Sequence, residues 1–377
     1  MSDFRYPHRL ASLRRAMAEP VIQNEVALPA IDGLVVSYVE NARYLSGFTG
    51  SNALVIVTER DAIFLTDGRY DQQSANEVGG FERVVLPPGS IMADAAADVL
   101  KKLGVGRAGF EASHLSFSAY EAMVKAVGDG VTLTPRADLV EKVRLVKDAD
   151  EIAAIRRAVA LTDKCHAFMR GMIRTGMTEK QVAWEMEMFL RGNGAPRLGF
   201  DSIVGSGPNS ALIHGRPSDR VIGSSGAPEL LLCDFGCEID GYCSDITRTF
   251  VIGGPATAPQ RQLYDVVSEA LRLSIAAIKP GVAGKDVDKI ARDFLTEQGY
   301  GKEFAHGLGH GLGRVVHDGQ MFGQRSETIL APGMVATVEP GVYIEGLGGV
   351  RIEDDILVTE TGCEVLTQSP RELLMIG

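Results

Sequence analysis

Two hydrophobic periods divide the chain. In the first third, short β-branched and aliphatic runs at residues 31–39, 53–58 and 62–66 read as strands. The Gly- and Asn-containing stretches GFTGSN at 47–52 and TDGRY at 66–70 separate them as turns. Residues 10–20, closed by Pro20, and the Ala/Leu-rich stretches 93–103 and 118–127 read as helices. Strands alternating with helices predict a small α/β domain. Near residue 145 the pattern changes to a long amphipathic run with acids at its start, beginning at Asp148. A domain boundary is therefore expected there, with domains at 1–145 and 146–377. His166 lies inside that helical run and is assigned no role.

Beyond the boundary the pattern repeats. IRTGMTEKQVAWEMEMFLRGNG at 173–194 and IKPGVAGKDVDKIARDFLTEQG at 278–299 align at an offset of 105 residues. That offset matches Ile173 with Ile278, Gly176 with Gly281, Val182 with Val287, and Gly194 with Gly299. Each copy reads as a turn, a helix and a C-terminal glycine. The same offset carries ELLLCDFG at 229–236 onto MVATVEPG at 334–341, and so Asp234 onto Glu339. With three further residues, Asp245 falls on Glu353.

The stretch 230–252, LLLCDFGCEIDGYCSDITRTFVI, holds two apolar runs around an acidic, Gly-containing turn, and reads as a β-hairpin. Asp234 and Asp245 are equidistant from a centre between Ile239 and Asp240, which predicts that they face one another across the ladder. Facing residues lie about 4.5–5.5 Å apart at Cβ. A single such hairpin is equally compatible with unrelated aspartates on a polar face. The repeat argues otherwise, because a duplicated half packed about a pseudo-twofold axis brings two acidic hairpins, and four carboxylates, together.

Four converging carboxylates repel and call for one or two divalent cations. Two ions about 3.5–4 Å apart can share bridging carboxylates. A nitrogen ligand would favour Mn, Co, Zn or Fe over Mg or Ca. HGLGHGLGRVVHDG at 306–319 supplies His306, His310 and His317 on a glycine-rich segment that admits close approach. His214 sits on a separate loop, and Arg351 shares the strand face of Glu353.

Composition narrows the function classes. A formal net charge of −11 with no basic run disfavours nucleic acid and anionic membranes as partners. No apolar run reaches spanning length, and MSDFRYPHRLASLRRAM has no apolar core of a secretory signal. Five cysteines in a chain of 377 residues read as reduced thiols, and the expected location is cytoplasmic.

Taken together, Asp234, Asp245, His310, Glu339 and Glu353 resemble the five-ligand pattern of the pita-bread metallopeptidases, which include methionine aminopeptidase, aminopeptidase P and prolidase. The resemblance implies a small α/β N-terminal domain followed by a pseudo-twofold α+β catalytic domain. It implies that Asp234 chelates one metal, that Asp245 and Glu353 bridge two, and that His310 and Glu339 hold the second. Manganese is the first expectation, with cobalt, zinc or iron as alternatives.

His214, His306, His317 and Arg351 match positions of the proline-specific branch, where they imply contact with substrate. The stretches YLSGFTGSN and TDGRY resemble a creatinase-type N-terminal domain, which methionine aminopeptidases lack. The implied catalytic set is Glu339 as proton shuttle, with His317 and His214 steadying the oxyanion. The implied activity is release of the N-terminal residue from Xaa-Pro peptides by an aminopeptidase that forms a homodimer. The alternative is an Xaa-Pro dipeptidase; a creatinase-type amidinohydrolase and a non-catalytic binding protein are more remote. Arg314 departs from the family's histidine-loop signature, which has an aliphatic residue there, and is a candidate for meeting a substrate carboxylate.

Overall fold

The computed structural model describes residues 6–23 and 25–376. They form two compact units divided between Arg144 and Leu145.

The N-terminal unit is a six-stranded mixed sheet. Its strand order is Glu82–Leu86, Ala62–Asp67, Leu54–Thr58, Gly33–Val36, Arg107–Glu111 and Thr132–Arg136. Alternate side chains serve two cores. Val35, Leu54, Ile56 and Ile63 pack with Leu100 and Met123 from helices Met92–Lys102 and Phe117–Val127. Leu34, Val36, Val55 and Val57 pack with Leu13 and Leu45 from helices Pro7–Ala18 and Val39–Ser46. A sheet buried on both faces explains why these strands are continuously apolar rather than alternating. The expected strand at 31–39 is shorter in the structure. Val39 already starts a helix, whose end is set by Gly47 in the left-handed region at φ 80°.

The C-terminal unit is the duplicated half. Helices Ala149–Met172 and Glu179–Gly192 recur as Ala258–Ala277 and Gly284–Glu297. Asp148, Thr178 and Thr257 each close a capping box at their helix starts; a cap of this kind contributes about 0.5–2 kcal/mol. The turn glycines Gly176 and Gly281 both have positive φ, at 94° and 85°. Each helix pair is followed by a hairpin: Glu229–Phe235 with Ile246–Ile252, then Val335–Val338 with Asp354–Val358.

Strand alternation aims the hairpins at each other. Leu231, Cys233, Phe235, Phe250 and Ile252 pack on the first helix pair. Asp234, Asp245, Thr247 and Thr249 therefore occupy the opposite face. In the second hairpin Ala336, Val338, Ile352 and Ile356 pack on the second helix pair, which leaves Glu339, Arg351, Glu353 and Asp355 facing the first hairpin. The two polar faces join directly, with Glu353 N–H donating to Thr247 O at 3.1 Å and Arg351 N–H to Thr249 Oγ1 at 3.2 Å.

The expected facing of Asp234 and Asp245 is corrected by two residues along the partner strand. The ladder pairs Asp234 with Thr247 and Phe235 with Ile246. The hairpin centre thus lies between Asp240 and Gly241, both at positive φ, 52° and 82°. This two-residue Asp-Gly connection matches the twist of the strands and dictates the register. Asp245 consequently lies diagonal to Asp234 on the same face rather than opposite it. In the second hairpin Val338 pairs with Asp354 and Gly341 with Arg351, so Glu339 and Glu353 do stand across from one another.

Candidate metal centre

The carboxylates meet where the hairpins face. His310 Nε2 lies 3.6 Å from Asp245 Oδ2 and 3.4 Å from Glu339 Oε1. Asp245, His310 and Glu353 each offer one ligand atom, and these atoms all lie within 4.8 Å of one another. Asp234 is held from behind by Arg351, whose Nη2 donates to its Oδ2 at 2.5 Å. The oxygens Asp234 Oδ1 and Asp245 Oδ1 are buried with no hydrogen-bond partner among the described residues.

The electrostatics have one sense. Burial, reinforced by repulsion from neighbouring carboxylates, pushes the Asp245 and Glu353 carboxyls well above their ordinary range. Burial also raises Glu339, to about 8. Burial, with His317 beside it, lowers His310 to about 3. Its Nδ1–H donates to the Gly311 carbonyl at 3.1 Å, which leaves the Nε2 lone pair aimed at the acids. Orphaned buried oxygens, carboxyls that resist ionising and a neutral imidazole aimed at them form a donor set that fits divalent cations.

A layer of hydrogen bonds orients these groups. Thr247 donates to Glu353 Oε2 at 2.5 Å. Thr337 accepts from His310 N–H at 3.1 Å and donates to Glu339 Oε1 at 3.2 Å. Asp355 accepts the Asp245 N–H at 3.1 Å. Arg351 also donates to Tyr343 Oη at 2.7 Å, and Tyr343 donates onward to His306 Nε2 at 3.0 Å. Burial lowers His306 to about 4, with Arg351 contributing, so its ring is a neutral acceptor. Sequence reasoning missed Thr247, Thr337, Tyr343 and Asp355. The signal available for all four was their position on the face that carries the acids.

The other expected residues fall into two groups. His317 is exposed and stands edge-on to His310, ring centroids 4.2 Å apart. His214 is also exposed, and near enough that its charge helps depress the His317 pKa. His306 and Arg351 lie behind these, in the Tyr343 network. Arg314, by contrast, is buried, with its guanidinium 5.3 Å from the Tyr242 ring centroid. It packs beneath the tip of the first hairpin, where its carbonyl accepts from the Cys243 thiol at 4.0 Å. His166 is buried and stacks on Phe250.

Comparison with known proteins joins these observations. The sequence pattern described as metallopeptidase family M24 matches residues 153–360, and that of the creatinase/prolidase N-terminal domain matches residues 9–146. An Xaa-Pro dipeptidase of Pyrococcus furiosus is 43% identical over 237 residues, 63% of this chain and 67% of that one. A solved Xaa-Pro dipeptidase from Bacillus anthracis superposes with a TM-score of 0.90 at 39% identity, covering 98% of this chain and 99% of that one. A solved X-Pro aminopeptidase from Thermotoga maritima gives 0.83 at 36% identity, covering 92% and 98%. With its duplicated hairpins aimed at one carboxylate-rich centre and this likeness along nearly its whole length, the chain belongs to metallopeptidase family M24.

Proposed function

We propose that this protein is an Xaa-Pro dipeptidase, a metal-dependent exopeptidase that hydrolyses the bond preceding a C-terminal proline. The observation that carries this reading is the near-complete likeness to the Xaa-Pro dipeptidase of Bacillus anthracis, at TM-score 0.90. The second reading, an Xaa-Pro aminopeptidase, is supported by the likeness to the Thermotoga maritima X-Pro aminopeptidase. The GFTGSN and TDGRY stretches lie in the N-terminal unit. They stitch a turn inside the N-terminal unit: Thr49 Oγ1 donates to Glu77, and Asn52 Nδ2 to Asp67 Oδ2 at 2.5 Å.

In this reading Asp234, Asp245, His310, Glu339 and Glu353 hold two divalent ions, with manganese first among the candidates. When bound, the ions would supply Lewis acidity to the scissile carbonyl and to the attacking water. Glu339 takes a proton from that water and delivers it to the leaving nitrogen. This delivery matters because a proline peptide nitrogen carries no hydrogen of its own. His317 and His214 donate to the carbonyl oxygen as charge develops there, the stage at which a donor contributes most to rate. Arg351 fixes Asp234 and, through Tyr343, the neutral ring of His306.

A homodimer and a cytosolic setting complete the proposal. Among the described residues no helix is long and apolar enough to cross a membrane, and the five cysteines are free thiols. The deciding assay compares Gly-Pro with Arg-Pro-Pro and a longer Xaa-Pro peptide, with manganese or cobalt added. Gly-Pro is expected to be cut fastest. Cleavage of the tripeptide and longer peptide at least as well as the dipeptide would reassign the protein as the aminopeptidase. Light scattering reads the dimer.

A further inference from the structure

The loop that carries His214 is fastened at its neck by a carboxylate outside the metal centre. Glu179 is the first residue of helix Glu179–Gly192 and is fully buried. Its Oε1 accepts from Ser206 N–H at 2.7 Å and from the Ser206 hydroxyl at 2.8 Å. Its Oε2 accepts from Ser218 N–H at 3.0 Å and from the Ser218 hydroxyl at 2.6 Å. Asn209 Nδ2 bridges both oxygens at 3.1 Å. Five donors therefore converge on one carboxylate, and they come from the two ends of the 206–218 segment.

The internal duplication shows that this arrangement is not merely what a helix start requires. The position 105 residues on is Gly284, where an added Cβ would collide with the Met321 carbonyl oxygen. In the second half the following segment is held by backbone bonds and a surface ion pair, with Gly284 N–H donating to Thr328 O at 2.8 Å, Lys285 N–H to Ser326 O at 3.1 Å and Lys285 Nζ to Glu327 Oε1 at 2.7 Å. The first half has the corresponding pair, Glu179 N–H to Arg220 O at 3.2 Å and Lys180 N–H to Ser218 O at 3.1 Å. The Glu179 carboxylate is added to those bonds.

The clamped segment also reaches the second hairpin. Ser210 Oγ accepts from Gly349 N–H at 2.9 Å, and the Ile213 carbonyl accepts from Arg351 Nη1 at 3.3 Å. Both ends of the segment are thus tied to Glu179 and its middle to the strand that carries Arg351. His214, the next residue, projects into solvent between these attachments.

We infer that Glu179 is a positioning residue that acts through His214, holding the neck of the 206–218 loop so that the imidazole is presented to the substrate. This inference rests on the proposed role of His214. Gln at 179 replaces an acceptor oxygen with a donor group that must face Ser206 or Ser218 donors, so the neck loosens although side-chain size is kept.

The test is a double-mutant cycle of Glu179→Gln and His214→Ala in the manganese-loaded enzyme, read by kcat/KM, metal content and amide hydrogen exchange. Glu179→Gln is expected to lower kcat/KM by about tenfold or more where His214 is present and to add little in the His214→Ala background, the non-additivity of residues that act as a unit. Exchange over 207–217 should rise while metal content stays at the wild-type value. Ser218→Ala, which removes one of the five donors and keeps the carboxylate, should move kcat/KM and exchange the same way by a smaller factor. Unaltered exchange over 207–217, or an equal loss of activity with and without His214, would overturn the inference. A fully active His214→Ala enzyme would overturn the role of His214, while the exchange measurement still decides whether Glu179 clamps the loop.

Discussion

Thr247 and Glu353 exchange two hydrogen bonds across the seam between the hairpins. The Thr247 hydroxyl donates to Glu353 Oε2 at 2.5 Å, and Glu353 N–H donates to Thr247 O at 3.1 Å. Thr247 thereby aims a carboxylate from the other half of the duplication. Removing a partner that orients a ligand typically costs 10–100-fold in metal affinity. Thr247→Val, which keeps the branched shape, is therefore expected to weaken manganese binding by about 10–100-fold. Thr247→Ser should restore it. Metal titration of the two variants reads this, and wild-type affinity in the valine variant would show that the seam does not orient Glu353.

Glu353 itself should be separable from the fold. Its carboxyl is buried and already resists ionisation, so the neutral isostere Glu353→Gln is expected to fold with wild-type circular dichroism. It should bind fewer ions than the wild type and lose activity, as measured by elemental analysis of the purified protein. Wild-type metal content in this variant would remove Glu353 from the ligand set.

Stability of the metal-stripped protein should fall as pH rises. Glu339 is raised from 4.5 to about 8, and Asp245 and Glu353 are also raised well above their ordinary range, by burial first. The folded state then holds protons that the unfolded chain releases, so this contribution is present below the unfolded pKa and lost as pH rises through the folded one. His306 and His310 are lowered to about 4 and about 3, so their contributions are lost only as pH falls below the unfolded histidine value, about 6.5. Above that value the carboxyls alone set the slope. The Tm of chelator-treated protein is expected to drop between about pH 6.5 and 8.5, and manganese should restore most at the upper end. A Tm that is flat or rising over this window would contradict the shared origin of the three shifts.

The two exposed histidines are expected to act on substrate and leave the metal alone. His317 stands 4.2 Å, ring to ring, from His310. Alanine at His317 or at His214 should lower kcat by about 10²–10³-fold, the typical cost of losing one donor to a developing oxyanion. Metal content should remain that of the wild type. A variant that loses ions in proportion to activity would move that histidine from the substrate to the metal.

Much of this architecture is legible in the one-dimensional pattern because it is local or repeated. Helix starts at Asp148 and Thr178 are written in their capping residues. The 105-residue repeat carries Asp234 onto Glu339, and so announces that two acidic hairpins exist. Hairpin register was also available: Asp240-Gly241 is the turn signal, and weighting it above the symmetry of the two aspartates gives the observed pairing.

Other features depend on which residues the duplication brings face to face, and no spacing encodes that. Thr247 lies 106 residues from Glu353, and Arg351 lies 117 from Asp234. Arg314 sits in a histidine- and glycine-rich segment that reads as open loop, yet it is buried over Tyr242 because the hairpin tip covers it. Glu179 reads as an ordinary acid in a helix's first turn, and only the folded chain shows five donors closing on it. Chemical type and local periodicity are properties of the chain itself, so the sequence alone determined the elements, the repeat and the acids and histidines at hand. Which oxygen is paired, which is left orphaned and which loop is clamped depends on distances between residues far apart in the chain, and packing of the two halves decided those.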